Sequence, residues 1–235
     1  MTSLICFALK EEAAPFRKIA AGKAGISILL TGIGRQNAEK AVCDILAASS
    51  PELVLICGFA GGLNPDLKPG EVVFELIDRR DEFHESQTEE KIRDSQSSPL
   101  REKLLAAGAK PVRFFCANRI ATTVAEKNKM RDETGADVVE MESEAIHAVC
   151  RERGIPCATV RVISDIAGED LPLDFNALSK PDKNLDYGRL FLAIAKSPRK
   201  IGALMQLQKR TQFAAERLAE VLARVLQQPR ERGSD

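Results

Sequence analysis

Acidic residues collect where apolar runs stop. Val138 and Val139 lead into Glu140, Met141 and Glu142; the run at 158–163 leads into Ser164 and Asp165; the run at 4–8 is followed by Lys10, Glu11 and Glu12. In parallel sheets ligands sit beyond the carboxyl ends of the strands. Both Glu140-Met141-Glu142 and Ser164-Asp165 are therefore expected to face one crevice, and carboxyl groups gathered there could give or take protons. Each residue also has a plainer reading. Glutamates in a first helical turn suit the helix dipole, which fits Glu11 better than Glu12, because Glu12 stands just past a strand end. Glu140 and Glu142 could be helix-start acids, and Asp165 a turn residue.

The elements that must position these groups follow from the hydrophobic pattern. Residues 138–141 read as a strand, 143–153 as a helix and 158–163 as a second strand. Ala145, Ile146, Val149 and Cys150 share one apolar helical face. Strand, helix and strand in such a short span form the crossover unit of a parallel sheet. Upstream, 4–8 is a strand followed by a helix to about residue 20. A strand at 25–30 feeds Thr31-Gly32-Ile33-Gly34-Arg35 and a helix through about residue 48. The dinucleotide fingerprint would want a third glycine where Asn37 stands, so the two glycines read as a tight turn. Arg35 reads as a solvated arginine, with contact to an anion or a neighbouring subunit as the alternative.

The strand at 53–57 ends on Gly58-Phe59-Ala60-Gly61-Gly62, a loop whose backbone could approach a ligand closely. It lacks the lysine and hydroxyl residue of a phosphate-binding P-loop. A strand at 71–77 precedes a charged, serine-rich stretch at 78–98, read as an exposed, mobile loop with a lid as the alternative. A helix at 99–107, a strand at 111–116 and a loop at 117–121 follow. Thr122-Thr123 then caps a helix that Gly135 stops. Beyond Phe175 come a polar stretch, a short helix to about 195 and a long helix from about 197. Leu218, Val221, Leu222, Val225 and Leu226 give that last helix an apolar face, to pack on the body or on a partner subunit. Residues 229–235 should fray. With no repeat and no linker, 1–235 reads as one α/β domain with a helical extension from about 177.

Thirty-four basic and 34 acidic side chains give zero net charge, which argues against nucleic-acid or membrane-surface binding. No apolar run is long enough to span a bilayer. The first residues lack a basic n-region and read as a strand rather than a signal peptide. Six cysteines without a C-x-x-C pair read as buried free thiols in a reducing compartment, hence the cytoplasm. Two histidines without metal-ligand spacing make a zinc site unexpected, and no cofactor is called for.

Several pieces in order are recognisable: Ala8-Leu9-Lys10-Glu11-Glu12, Gly32-Ile33-Gly34, Gly58-Phe59-Ala60-Gly61-Gly62-Leu63, Val139-Glu140-Met141-Glu142 and Val160-Arg161-Val162-Ile163-Ser164-Asp165, with Phe175 at matching spacing. With these the chain resembles the nucleoside phosphorylase/hydrolase superfamily, most closely the 5′-methylthioadenosine/S-adenosylhomocysteine nucleosidases. The resemblance implies a twisted, partly closed mixed sheet flanked by helices, and cleavage of the N-glycosidic bond of a purine nucleoside. It implies that Asp165 protonates the base with Ser164 orienting it, and that Glu12 activates the attacking water. Glu142 would bind the ribose hydroxyls beside Glu140, with Met141 against the sugar. Ala60 and Gly61 would border the sugar, Ile120 and Ala121 would offer backbone to the base, and Phe175 would line the base pocket. It further implies a small nucleoside as partner and a homo-oligomer, a dimer favoured.

The chain also departs from the family pattern. Ile56 and Phe59 stand where phosphorylases of the superfamily anchor phosphate, which favours water as nucleophile. Phe59 also replaces a serine of typical nucleosidases, and the loop at 117–121 lacks their stacking aromatic residue. The tail resembles that of related phosphorylases, including those linked to hopanoid synthesis. The alternatives are phosphorolysis, with phosphate as co-substrate and Arg35 as its contact, and a non-catalytic nucleoside-binding protein.

Overall fold

The computed structural model describes residues 2–76, 98–178 and 201–227. The expectations for 78–97, for the helix near 195, for the start of the last helix and for fraying at 229–235 lie outside these residues.

Strict alternation in the first strands sets the layers. In β1 (Ser3–Phe7) Leu4 and Cys6 point to one side and Ile5 and Phe7 to the other. In β3 (Leu53–Gly62) Val54 and Ile56 join the first side, while Leu53, Leu55 and Cys57 join the second. Both sides are apolar, as expected of strands covered on both faces. Two helices cover the first side: α2 (Arg35–Ala48), through Ala38, Val42 and Leu46, and α5 (Ser143–Glu152), through Ile146, Val149 and Cys150. The second side is covered by α1 (Lys10–Ala20), through Ala13 and Phe16, and by α6 (Ile201–Val225). Leu218, Val221, Leu222 and Val225 of α6 are buried in the main core with Ile5, Leu55 and Val160. Each such leucine contributes about 1.5–3 kcal/mol on burial, so the expected apolar face of this helix is spent on the body.

The sheet runs β2 (Ile26–Leu30), β1, β3, β8 (Cys157–Asp165), β4 (Val72–Leu76), β5 (Lys110–Pro111). The first four strands are parallel and β4 runs antiparallel to β8. A branch carries β6 (Phe114–Cys116) beside β7 (Val138–Glu140), and β7 joins β3 antiparallel at Gly61 and Gly62. The remaining helices are α3 (Pro99–Ala106) and α4 (Val124–Thr134), and α4 runs from a Thr123 cap to left-handed Gly135.

Three expectations are corrected. The segment 58–62 is strand rather than loop, because β3 leaves β1 and keeps pairing with β8 and β7, with a register shift at Ala60/Gly61. The stretch 111–116 is two strands. Val112 N–H still bonds Phe74 C=O, but Arg113 N–H bonds the Asp137 carboxylate, so the chain crosses from β4 to β7 there. The unit β7–α5–β8 is not a parallel crossover. β7 is antiparallel to β3 whereas β8 is parallel to it, so the Glu140 end of β7 points back along β3. The two acidic ends still meet, through a sheet that branches rather than one that stays open and parallel.

Candidate active site

Glu12 sits in the first turn of α1 and is 3% exposed. Its Oε2 accepts the N–H of Leu9 at 2.8 Å, closing the helix start, and its Oε1 accepts the N–H of Phe59 at 2.8 Å. Burial raises its pKa to about 7, against the lowering pull of Arg161 and the two N–H donors. Gly58 makes this placement possible. Its φ is +145°, and a Cβ there would lie 2.6 Å from both Glu12 Oε1 and Arg161 Nη1.

Arg161 stands in the middle of β8 with 1% exposure. A charge on a strand buried on both sides must be paired. Its Nη2 reaches Glu140 at 2.5 Å and Glu142 at 2.9 Å, and its Nη1 reaches Cys57 C=O at 3.4 Å. Burial opposes its charge, but Glu140, Glu142 and Glu12 outweigh that and push its pKa up. Glu140 is spent on this scaffold: its oxygens also accept the N–H groups of Glu142 and Ser143 and the Ser143 hydroxyl. Burial pushes the Glu140 carboxyl up, yet Arg161 and these donors bring it below its ordinary value. Glu142 goes the other way. Burial and the neighbouring Glu140 charge hold it above its ordinary value, although Oε2 meets Arg161 and Oε1 accepts Gly34 N–H at 2.7 Å. The turn Gly32–Gly34 thus does more than start α2: Gly34, at φ +87°, delivers a backbone donor to this carboxylate.

Asp165 ends β8. The Ser164 hydroxyl donates to its Oδ1 at 2.7 Å, and the Nζ of Lys127, from α4, lies 2.6 Å from its Oδ2. Across from it, the N–H and C=O of Ile120 both bond the Asn176 carboxamide at 2.9 Å. The backbone edge expected to meet a base is therefore engaged by a side chain of this protein.

The carboxylates of this cluster border one cavity of about 580 Å³. Glu12, Glu142 and Asp165 line it together with Ser164, Glu140 and Met141. Ala60, Gly61, Ile120, Ala121 and Phe175 complete the set expected from sequence. Three contributions were not foreseen. Arg161 lines the cavity, and its signal was a lone charge inside an otherwise apolar strand, with acids elsewhere to match it. Lys127 holds Asp165 from behind, and nothing in the helix pattern marked it. Leu204, Leu207, Gln208 and Thr211 of α6 form a wall, a long-range contact that no local pattern encodes. Arg35 is not part of the lining; it pairs with Glu144 on the outer surface. All six cysteines are free thiols. Among the described residues no cluster of His, Cys, Asp and Glu could hold a metal ion, and no helix is long and apolar enough to cross a membrane.

Known proteins are similar to this chain in sequence or in fold. The 5′-methylthioadenosine/S-adenosylhomocysteine nucleosidase of Shewanella halifaxensis (strain HAW-EB4) is 27% identical over 176 residues, 67% of this chain and 76% of that protein. Among solved structures, the Campylobacter jejuni 5′-methylthioadenosine/S-adenosyl homocysteine nucleosidase superposes with a TM-score of 0.63 at 18% identity, covering 96% of this chain and 98% of its own. The futalosine hydrolase of Helicobacter pylori strain 26695 gives 0.61 at 18% identity, covering 94% and 97%. Both structures share the fold. Residues 8–185 match the family model described as the phosphorylase superfamily, so that most of the chain, from the Glu12 turn past Phe175, is accounted for by one family pattern: the chain belongs to the phosphorylase superfamily.

Proposed function

We propose that the protein hydrolyses the N-glycosidic bond of a 5′-substituted adenine nucleoside, of the methylthioadenosine/S-adenosylhomocysteine type, and releases adenine. The observation that carries this reading is the meeting of Glu12, Glu142 and Asp165 around one cavity. Cleavage separates a cationic sugar from an anionic base, so it needs an acid at the base, an anion by the sugar and a base for the nucleophile. Asp165 passes its proton to the leaving base while the electron pair of the glycosidic bond departs with it. Glu142 accepts hydrogen bonds from the ribose hydroxyls, and its charge favours the cationic sugar. Glu12 takes a proton from water as its oxygen bonds the anomeric carbon. One carboxyl protonating the leaving group while another activates water is the logic of inverting glycosidases. A pKa near 7 suits Glu12 to this work at neutral pH.

Water rather than phosphate is favoured by what surrounds the nucleophile. Ile56 is buried in the core, Arg35 is paired outside, and of the two arginines on the cavity lining Arg161 is engaged by two carboxylates and Arg119 by Glu126. The relatives named as nucleosidases support the substrate class. We place the protein in the cytoplasm, where free thiols persist, and expect a homo-oligomer, a dimer favoured, which sedimentation would check. The deciding experiment incubates purified protein with methylthioadenosine in phosphate-free buffer and follows free adenine. Release without phosphate supports hydrolysis. An absolute phosphate requirement makes the protein a phosphorylase, and binding without release makes it a nucleoside-binding protein.

A further inference from the structure

Lys127 has 0% exposure, on a helix whose other residues in the described segment are at least partly exposed. A lysine is almost never fully buried unless paired. Its three N–H bonds have three acceptors: the carboxylate of Asp165 at 2.6 Å, the C=O of Ile166 at 2.7 Å and the C=O of Glu169 at 2.9 Å. All three lie at or just beyond the end of β8. The Glu169 side chain is gripped in turn by Arg210 of α6 through two contacts of 2.5 and 2.8 Å. Lys127 therefore ties the acid, the turn after it and the α6 wall into one unit. It borders none of the cavity itself.

We infer that Lys127 is a positioning residue of the reaction, acting through Asp165. The inference rests on the proposed role of Asp165 as the acid. Lys127 at Oδ2 and the Ser164 hydroxyl donating to Oδ1 together fix the orientation of the carboxyl from which the proton goes to the base. When that proton moves to the base nitrogen and the glycosidic electron pair leaves with the base, Asp165 becomes a carboxylate. The ammonium is already beside it, so the Lys127–Asp165 attraction grows as the proton departs, the kind of interaction that speeds a chemical step. The charged groups facing Asp165 are Lys127 from α4 and, farther off, Arg210 from α6, with the Ser164 hydroxyl as the neutral partner.

The test uses the full-length protein and two leaving groups. Methylthioadenosine needs its base protonated; a p-nitrophenyl riboside with the same 5′ group releases an anion that does not. Lys127→Met is expected to lower kcat for methylthioadenosine about 10²-fold, the low end of general-acid effects, with KM changed less than about threefold. The p-nitrophenyl substrate should lose less than about fivefold. Because Lys127→Met strands a buried carboxylate and could unfold the turn, the double variant Lys127→Met/Asp165→Asn is measured beside Asp165→Asn alone. If Lys127 acts through Asp165, the double variant is no slower than the single one. Equal losses on both leaving groups, unchanged methylthioadenosine turnover, or a further loss in the double variant would each overturn the inference. A wild-type protein that cleaves neither substrate would overturn the proposed function instead.

Discussion

The two ends of the cavity are built differently. At the end proposed for the nucleophile and sugar the carboxylates are held largely by backbone. Glu12 accepts two main-chain N–H groups, Glu140 accepts two and Glu142 accepts one, with Arg161 neutralising the cluster from within β8. At the end proposed for the base the contacts are made by side chains: Lys127 and Ser164 on Asp165, Asn176 on Ile120, Arg210 on Glu169. Backbone donors in strands and helix starts move only if the fold moves. Side-chain contacts change with one substitution. On the proposed reading the first end is fixed by the main chain, while the second, where Asp165 acts on the base, is open to adjustment through its side-chain partners.

That contrast can be broken most severely at Glu12. Glu12→Gln places an amide between two N–H donors and removes the base, so kcat is expected to fall by about 10²–10⁴-fold in a phosphate-free adenine-release assay. A loss below tenfold would remove Glu12 from the chemistry. Next comes the charge balance beneath it. Arg161→Met leaves Glu140 and Glu142 buried without their cation, at a cost of about 3–5 kcal/mol read by denaturant unfolding. An unchanged midpoint would mean that the carboxylates do not depend on it.

Gly58→Ala adds a single methyl group where Glu12 and Arg161 approach and where φ is +145°. Displacing Glu12 by even about 1 Å can cost on the order of 10²-fold in rate, with little change in KM. A variant with wild-type kcat would show that the close approach is dispensable. The pH profile sharpens the same end. Glu12 works as a base only when deprotonated, and its pKa is raised to about 7, so kcat/KM should be full above that value and fall as pH drops through it. A limb near the ordinary carboxyl value of 4.5 would contradict the burial-driven shift. The smallest effect belongs to the other end. Asn176→Ala frees the N–H and C=O of Ile120, and is expected to change KM by less than about tenfold while shifting preference among purine bases, measured with a nucleoside panel. A collapse of kcat there would erase the distinction between the two ends.

Most of the local structure was legible because it is written in near-neighbour patterns. The alternation of Leu4, Ile5, Cys6 and Phe7, the Thr123 cap, the Gly135 stop and the apolar face from Leu218 to Val225 each depend on residues a few positions apart. The candidate carboxylates were legible for a related reason: each follows a strand or starts a helix, and such ends are where side chains can leave the core. The 58–62 segment misled because glycines read as loop, whereas here missing side chains let a strand pass close to Glu12, Arg161 and Asp165. The direction of β7 was hidden because strand pairing depends on partners far away in the chain.

By itself the sequence determined most of the strands and helices, which faces are apolar, and which acids stand at element ends, since these follow from periodicity, capping and steric limits within short stretches. Only the tertiary structure decided that β3 branches to β7, that Arg161 balances the carboxylates, that Lys127 stands behind Asp165 and that α6 closes the cavity. Those choices turn on long-range pairing and on the cost of burying charge. That cost is settled only when groups far apart in the chain are brought within a few ångströms of each other.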